Sequence, residues 1–251
     1  MSARRARLPL CMFAVAMALL LSAGCHRAQH QAEHAAAQAA ANEDAAKPGA
    51  AAFDDAVSKQ NWPLAKAQAD VLIAQYPGTH AAQRVQTQQA TVKAKADATR
   101  EAARTAALWS YSRQPVAGRG KAGGTQLSAA IDAKDDVDVD GSGTKPVQLV
   151  FRDHPSWGRS AYLVLQAGDF DCYGGCKVKV KLDNAAPKAM AASRPKTDEA
   201  IAMFIQDQRA LWTMALGAKV MAIEFPVKGG GTRTAVFEVG GLDRNQLPNW
   251  H

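Results

Sequence analysis

Residues 169–183 read DFDCYGGCKVKVKLD, and the texture changes halfway along. In the second half, Val178 and Val180 fall on one side while Lys177, Lys179 and Lys181 fall on the other. Successive side chains of an extended chain point to opposite faces, so this is a strand with one dry and one wet face. In the first half, Gly174 and Gly175 sit between Cys172 and Cys176, which marks a turn. No other cysteine occurs beyond the first 25 residues. Their C-x3-C spacing is one residue too long for a thioredoxin-type redox pair and two ligands short of a tetrahedral zinc site.

The same alternation recurs on both sides of this stretch. It appears at Leu127, Ala129 and Ile131; at Val147, Leu149 and Phe151; and at Leu163 and Leu165. Beyond it come Met221, Ile223 and Phe225, then Ala235, Phe237 and Val239. Turn residues separate these runs, as expected of half-buried strands. One helix is expected over residues 198–216, capped by Thr197, with Ile201, Phe204, Ile205, Leu211, Trp212 and Ala215 as its apolar stripe. A sheet with one covering helix predicts an antiparallel, β-rich, sandwich-like domain over residues 109–251. The class is α+β.

Residues 53–108 carry helical rather than alternating patterns. Pro63 follows Asn61-Trp62 at a helix start, Pro77-Gly78 breaks the helix, and Thr79 can cap the next one. The stretch QNWPLAKAQADVLIAQYPGTHAAQRV resembles one tetratricopeptide unit, with small Ala65 and Ala69 at close-packing positions. A solenoid needs about three such units, so a peptide groove is not expected from one chain. Residues 79–107 hold only Val85 and Val92 as large apolar residues and read as a stalk or an oligomer contact. The expected domain is a short helical hairpin. Residues 25–52, rich in Ala, Gln and His, read as a flexible tether. Within the tether His26, His30 and His34 recur every four residues, a candidate metal row with no carboxylate or thiol placed beside it.

The first 24 residues fix the compartment. Arg4, Arg5 and Arg7 precede an apolar run over residues 9–21, too short to span a bilayer comfortably. Ser22, Ala23, Gly24 and Cys25 come next. This segment resembles a bacterial lipoprotein signal peptide, although Ser22 stands where leucine is more usual. The resemblance implies cleavage after Gly24, acylation of Cys25 (palmitate-type chains) and, with His26 rather than Asp next, sorting to the outer membrane. Removing Arg4, Arg5 and Arg7 lowers the formal net charge of +7 by three. The remaining basicity is too slight to argue for nucleic acid. In an oxidising envelope two cysteines without further partners most often pair, so Cys172 and Cys176 are expected to form a structural disulfide. Free thiols and redox work are the alternatives.

The segments LWSYSRQPVAG, LVFRDHPSWGRSAYLVLQAGDFDCYGGCKVKVKLD, MALGAKVMAIEF and AVFEVGGLD are similar to an uncharacterised bacterial envelope domain. They are loosely similar to invasion-associated and type VI secretion-associated accessory proteins. No catalytic residue transfers from these families.

Catalytic patterns are scarce in the residues themselves. The run from Asp136 to Gly141 imitates the start of a calcium loop, but its twelfth position is Val147 rather than Glu. The run from Gly118 to Gly123 fits G-x-G-x-x-G by letter, but a strand rather than a helix comes after it. Asp153-His154 lacks a nucleophile in recognisable context. Asp169 and Asp171 would share one face of a strand and could serve as paired carboxylates; two solvated acids are the plainer explanation. The expectation is a non-enzymatic lipoprotein without cofactor. It would bind an envelope protein or an anionic envelope polymer, with Lys177, Lys179 and Lys181 as the candidate face. A periplasmic enzyme acting on cell-wall or glycan substrates is the alternative.

Overall fold

The structure, a computed structural model, describes residues 12–117, 123–197 and 201–250, the side chains of residues 12–26 and 28 excepted. It divides into two compact units, Met1–Thr99 and Arg100–His251. Four α-helices and one nine-stranded antiparallel sheet are present among the described residues. The α+β class is as the sequence implied.

The first unit contains α1 (Met12–Ser58), α2 (Trp62–Gln75) and the greater part of α3 (His80–Ala106). Residues 25–52, expected as a flexible tether, are helical instead. Alanine has the highest helix propensity, and low hydrophobicity does not prevent a helix when its end can dock. Ala46, Ala50, Phe53 and Ala56 of α1 are buried with Ala65, Ala69 and Leu72 of α2 and Val85 and Val92 of α3. The expected hairpin is thus a three-helix cluster, and the first half of α3 belongs to its core rather than to a stalk. Small residues let the helices approach closely, which is why Ala-rich faces can bury without large side chains. Polar contacts hold the same arrangement. Glu43 accepts the His80 backbone N–H at 2.8 Å, and Arg84 forks onto Asp54 at 2.8 and 2.9 Å. Asn61 caps α2 through its side chain, with Pro63 in the first turn. No helix among the described residues is long and apolar enough to cross a membrane.

The second unit is a sheet of β1 (Trp109–Val116), β2 (Gly124–Asp132), β3 (Val147–His154), β4 (Gly158–Leu165), β5 (Cys176–Leu182), β6 (Lys188–Ser193), β7 (Ala202–Ile205), β8 (Met221–Pro226) and β9 (Thr232–Phe237). Their order in the sheet is β1-β2-β3-β4-β7-β6-β5-β8-β9. The sheet rolls toward its inner face, so that Lys134, just past β2, donates its N–H to Val236 of β9 at 2.7 Å. One core therefore forms from the inward residues of a single curled sheet, among them Ile131, Leu149, Phe151, Leu163, Val178, Val180, Ile223 and Phe237. The alternating runs read from the sequence supply these residues, with Val239 placed in a short 3-10 turn after β9.

The helix expected over residues 198–216 is shorter and starts later. Residues 202–205 form β7, paired with β4 and β6, and α4 is Gln208–Gly217. Asp207 rather than Thr197 is its cap: its side chain accepts the Ala210 N–H, and its φ is 55°. Leu211, Trp212 and Ala215 keep their place on the buried face; Ile201, Phe204 and Ile205 do not belong to it. β4 pairs with all four residues of 202–205 and β6 with Phe204 and Ile205, and these ladder bonds outweigh a weak helical period.

The last turns of α3 pack within this second unit. Arg104 bridges Glu101 and Glu238, each at 2.7 Å, and this guanidinium holds the Glu238 carboxyl below the usual carboxylate range. A Cβ on Gly241 would collide with the backbone of Thr105 and Ala106, so only glycine permits that approach.

Candidate functional site

The turn that closes onto β5 is pinned by a Cys172–Cys176 disulfide, with Cα atoms 5.0 Å apart. Gly175 takes the left-handed conformation (φ +95°) that lets the chain reverse inside so small a ring. Its N–H and that of Arg194 both donate to the Cys172 carbonyl, at 3.2 and 3.3 Å.

Beneath this turn lies a charge cluster. The Asp169 and Arg194 side chains are 8% and 5% exposed, with Oδ1 and Nη1 3.3 Å apart. Lys228 reaches the other carboxylate oxygen at 3.4 Å from a side chain that is 62% exposed. The Arg194 guanidinium also lies 5.5 Å from the Tyr173 ring. A cavity of about 460 Å³ adjoins the cluster, lined by Val139, Asp140, Gly168, Asp169, Lys228 and Gly229. Asp171 does not share the environment of Asp169, because the segment is a turn with one bridge, Phe170 to Val227, rather than a strand. Asp169 is buried and Asp171 exposed, so the two do not form a carboxylate pair.

His154 is buried at the end of β3, where its Nδ1 accepts the N–H groups of Ser156 and Trp157 at 3.1 and 3.3 Å. It shapes the β3–β4 turn. Asp153 is engaged elsewhere, accepting from Asn249 at 2.8 Å, and does not orient His154. Pro155 rests against Gly124, where an added Cβ would come within 2.7 Å of the ring. The turn presents Trp157, 65% exposed, with its indole stacked on the His154 imidazole at 4.0 Å and 17°.

A row of side chains continues from Trp157 across the outer face of the sheet. The Arg152 guanidinium lies 5.6 Å from the Trp157 ring and 5.3 Å from Tyr162, and its Nε donates to Ser160. Tyr162 meets Phe204 at 5.2 Å across the β4–β7 pair. Burial pushes the Tyr162 hydroxyl above its ordinary pKa, so it stays a neutral hydrogen-bonding group. None of these four residues stood out in the sequence as a site.

Lys177, Lys179 and Lys181 are exposed on the same outer face, and Val178 and Val180 are buried beneath them. Lys179 pairs with its register partner Glu224 at 2.8 Å. No carboxylate lies within ion-pair distance of Lys177, Lys181 or Arg152 among the described residues.

The other candidates do not assemble. Asp138 and Asp140 accept the N–H groups of Gly141 and Ser142, making a turn rather than a cation loop or a strand. The His26 side chain lies outside the described residues; His30 sits 3.5 Å from Glu33, so, contrary to the expectation, a carboxylate does lie beside the row. No cluster of three or more potential metal ligands occurs among the described residues. The glycine run at 118–123 falls almost wholly outside them. No family model, curated protein or solved structure matches this chain.

Proposed function

We propose that the chain is an outer-membrane lipoprotein, anchored through Cys25 on the periplasmic side, that serves the envelope as a non-catalytic binding or accessory module. The carrying observation is Cys25 itself, placed directly after a basic, apolar and small-residue leader. A lipid there tethers the remainder of the chain to a membrane surface; firm anchoring takes more than one acyl chain. Support for binding over catalysis comes from how the reactive-looking groups are used. His154 shapes a turn through Nδ1, Asp153 holds Asn249, and Asp169 pairs with Arg194 and Lys228. The outer face, by contrast, carries cations and an aromatic row with free edges. The cavity beside Asp169 is the feature that favours the enzyme alternative, since a buried carboxylate in a cleft is where hydrolytic chemistry would be sought.

A Cys25→Ser chain without its leader separates the two. Incubated with purified envelope fragments, it should sediment with them and release no soluble sugar or peptide. Fragments accumulating with time would establish the enzyme.

A further inference from the structure

Resting on that envelope-binding reading, we infer that the outer face of β3, β4 and β7 is a saccharide-binding platform for an acidic glycan strand, with Trp157 as its stacking surface and Arg152 as its carboxylate contact. The assignment begins with exposure. The Trp157 indole, 65% exposed, does not stand alone: Arg152, Tyr162 and Phe204 continue from it as one row on the same face, and a contiguous surface row rather than a single side chain marks a contact surface. His154 fixes the residue: it stacks on the indole and accepts the Trp157 backbone N–H, so little ordering remains to be done when a ligand arrives. Trp offers a wide apolar face with a polar tip, the shape that accepts the C–H face of a pyranose while leaving its hydroxyls in water.

The cation supplies the sign of the ligand. The Arg152 guanidinium lies 5.6 Å from the Trp157 ring and 5.3 Å from the Tyr162 ring, and its Nε is committed to Ser160. Its two Nη groups carry no protein hydrogen bond among the described residues, and no acid neutralises it. A guanidinium tied at Nε, with both Nη groups unbonded among the described residues, keeps an N–H edge for a bidentate carboxylate. From Phe204 the same face runs through Ser193 of β6 to Lys177 and Lys179 of β5, by register with Ala191 and Ala189. Two strand spacings, about 10 Å, therefore separate Phe204 from the lysine strand, and four, about 19 Å, separate Arg152 from it. A strand of acidic sugars meets both: ring faces against the aromatics, carboxylates against Arg152 and the unpaired Lys177. The chemistry matches a repeating polymer better than a single small anion.

The test uses the full mature chain carrying Cys25→Ser and three probes: oligogalacturonate, the neutral maltohexaose, and poly-glutamate as a polyanion without sugar rings. Calorimetry should show oligogalacturonate bound more tightly than either other probe. Trp157→Ala should weaken it about tenfold, the size of a lost stacking contact. Trp157→Phe, which keeps an aromatic face, should recover most of the affinity. Arg152→Gln should weaken oligogalacturonate but leave any maltohexaose binding unchanged. Equal binding of poly-glutamate and oligogalacturonate, indifferent to Trp157→Ala, would overturn the platform and leave only a basic face. Sedimentation with envelope fragments but no oligogalacturonate binding would overturn the glycan assignment while the binding-module reading stands.

Discussion

Replacing Asp169 by Ala should destabilise the β unit by about 3–5 kcal/mol, because it leaves the Arg194 guanidinium buried without its counter-charge. The Arg194 side chain is only 5% exposed, so water cannot replace the carboxylate without opening the turn. That turn is bound to the same residue, since the Arg194 N–H donates to the Cys172 carbonyl. Lys228 cannot take over; its side chain is largely in solvent and its share of the cluster is at most about 1 kcal/mol. Three comparisons isolate the cause. Lys228→Ala should be nearly silent. Asp169→Asn should fall close to Asp169→Ala, because Oδ1 and Nη1 meet as an ion pair without a hydrogen bond and the charge is what the substitution removes. The double variant Asp169→Leu with Arg194→Met should return close to wild-type stability, since a buried pair is often replaceable by apolar residues of similar volume. Urea unfolding monitored by tryptophan emission measures this directly. A Trp62→Phe background leaves only the four tryptophans of the second unit reporting. A midpoint for Asp169→Ala within about 1 kcal/mol of wild type, at unchanged slope, would show that the pair is not what holds the turn.

The second large effect concerns Phe151. It is fully buried on β3 and meets Trp212 at 5.1 Å and Trp250 at 5.3 Å, both edge to face, and Trp109 at 6.2 Å. These three tryptophans come from α4, the C-terminal segment and the start of β1, so one ring joins three otherwise separate parts. Phe151→Ala should lose about 3–5 kcal/mol through the removed ring and the cavity left behind. Near-ultraviolet circular dichroism should weaken with it, as the tryptophans lose their fixed neighbour, whereas Trp157→Ala on the exposed turn should change stability by less than about 0.5 kcal/mol. A Phe151→Ala protein as stable as wild type would mean that the sheet's core closes elsewhere.

Much of the β unit is written locally. Leu149 and Phe151, or Val178 and Val180, announce an inward face by period alone, and Lys177, Lys179 and Lys181 announce the outward one. The disulfide was legible because a single pair of cysteines occurs beyond residue 25. Residues 202–205 were not legible as a strand. AMFI is too short to show a period of two, and its partners on β4 and β6 are brought to it by the fold rather than by sequence proximity. That single miss also hid the outer-face row, because Tyr162 meets Phe204 only when both lie in paired strands. The helical unit was underread for a different reason. Ala46, Ala50, Ala65 and Ala69 bury their faces without the large side chains that normally mark a core. Arg194 gave no signal at all, being a lone arginine whose partner Asp169 lies 25 positions earlier in the chain. The Trp157 turn did carry one: an exposed-looking HPSWG between two strands, a tryptophan where turn chemistry does not ask for one.

The anchor is the claim on which the rest depends, and the mass of the mature N-terminus tests it most directly. Protein purified from envelopes should begin at Cys25 and carry acyl chains, in the outer-membrane fraction, and Cys25→Ser should leave the chain in the soluble periplasm. A mature chain beginning at another residue, or a Cys25→Ser protein still firmly bound to membrane, would contradict it.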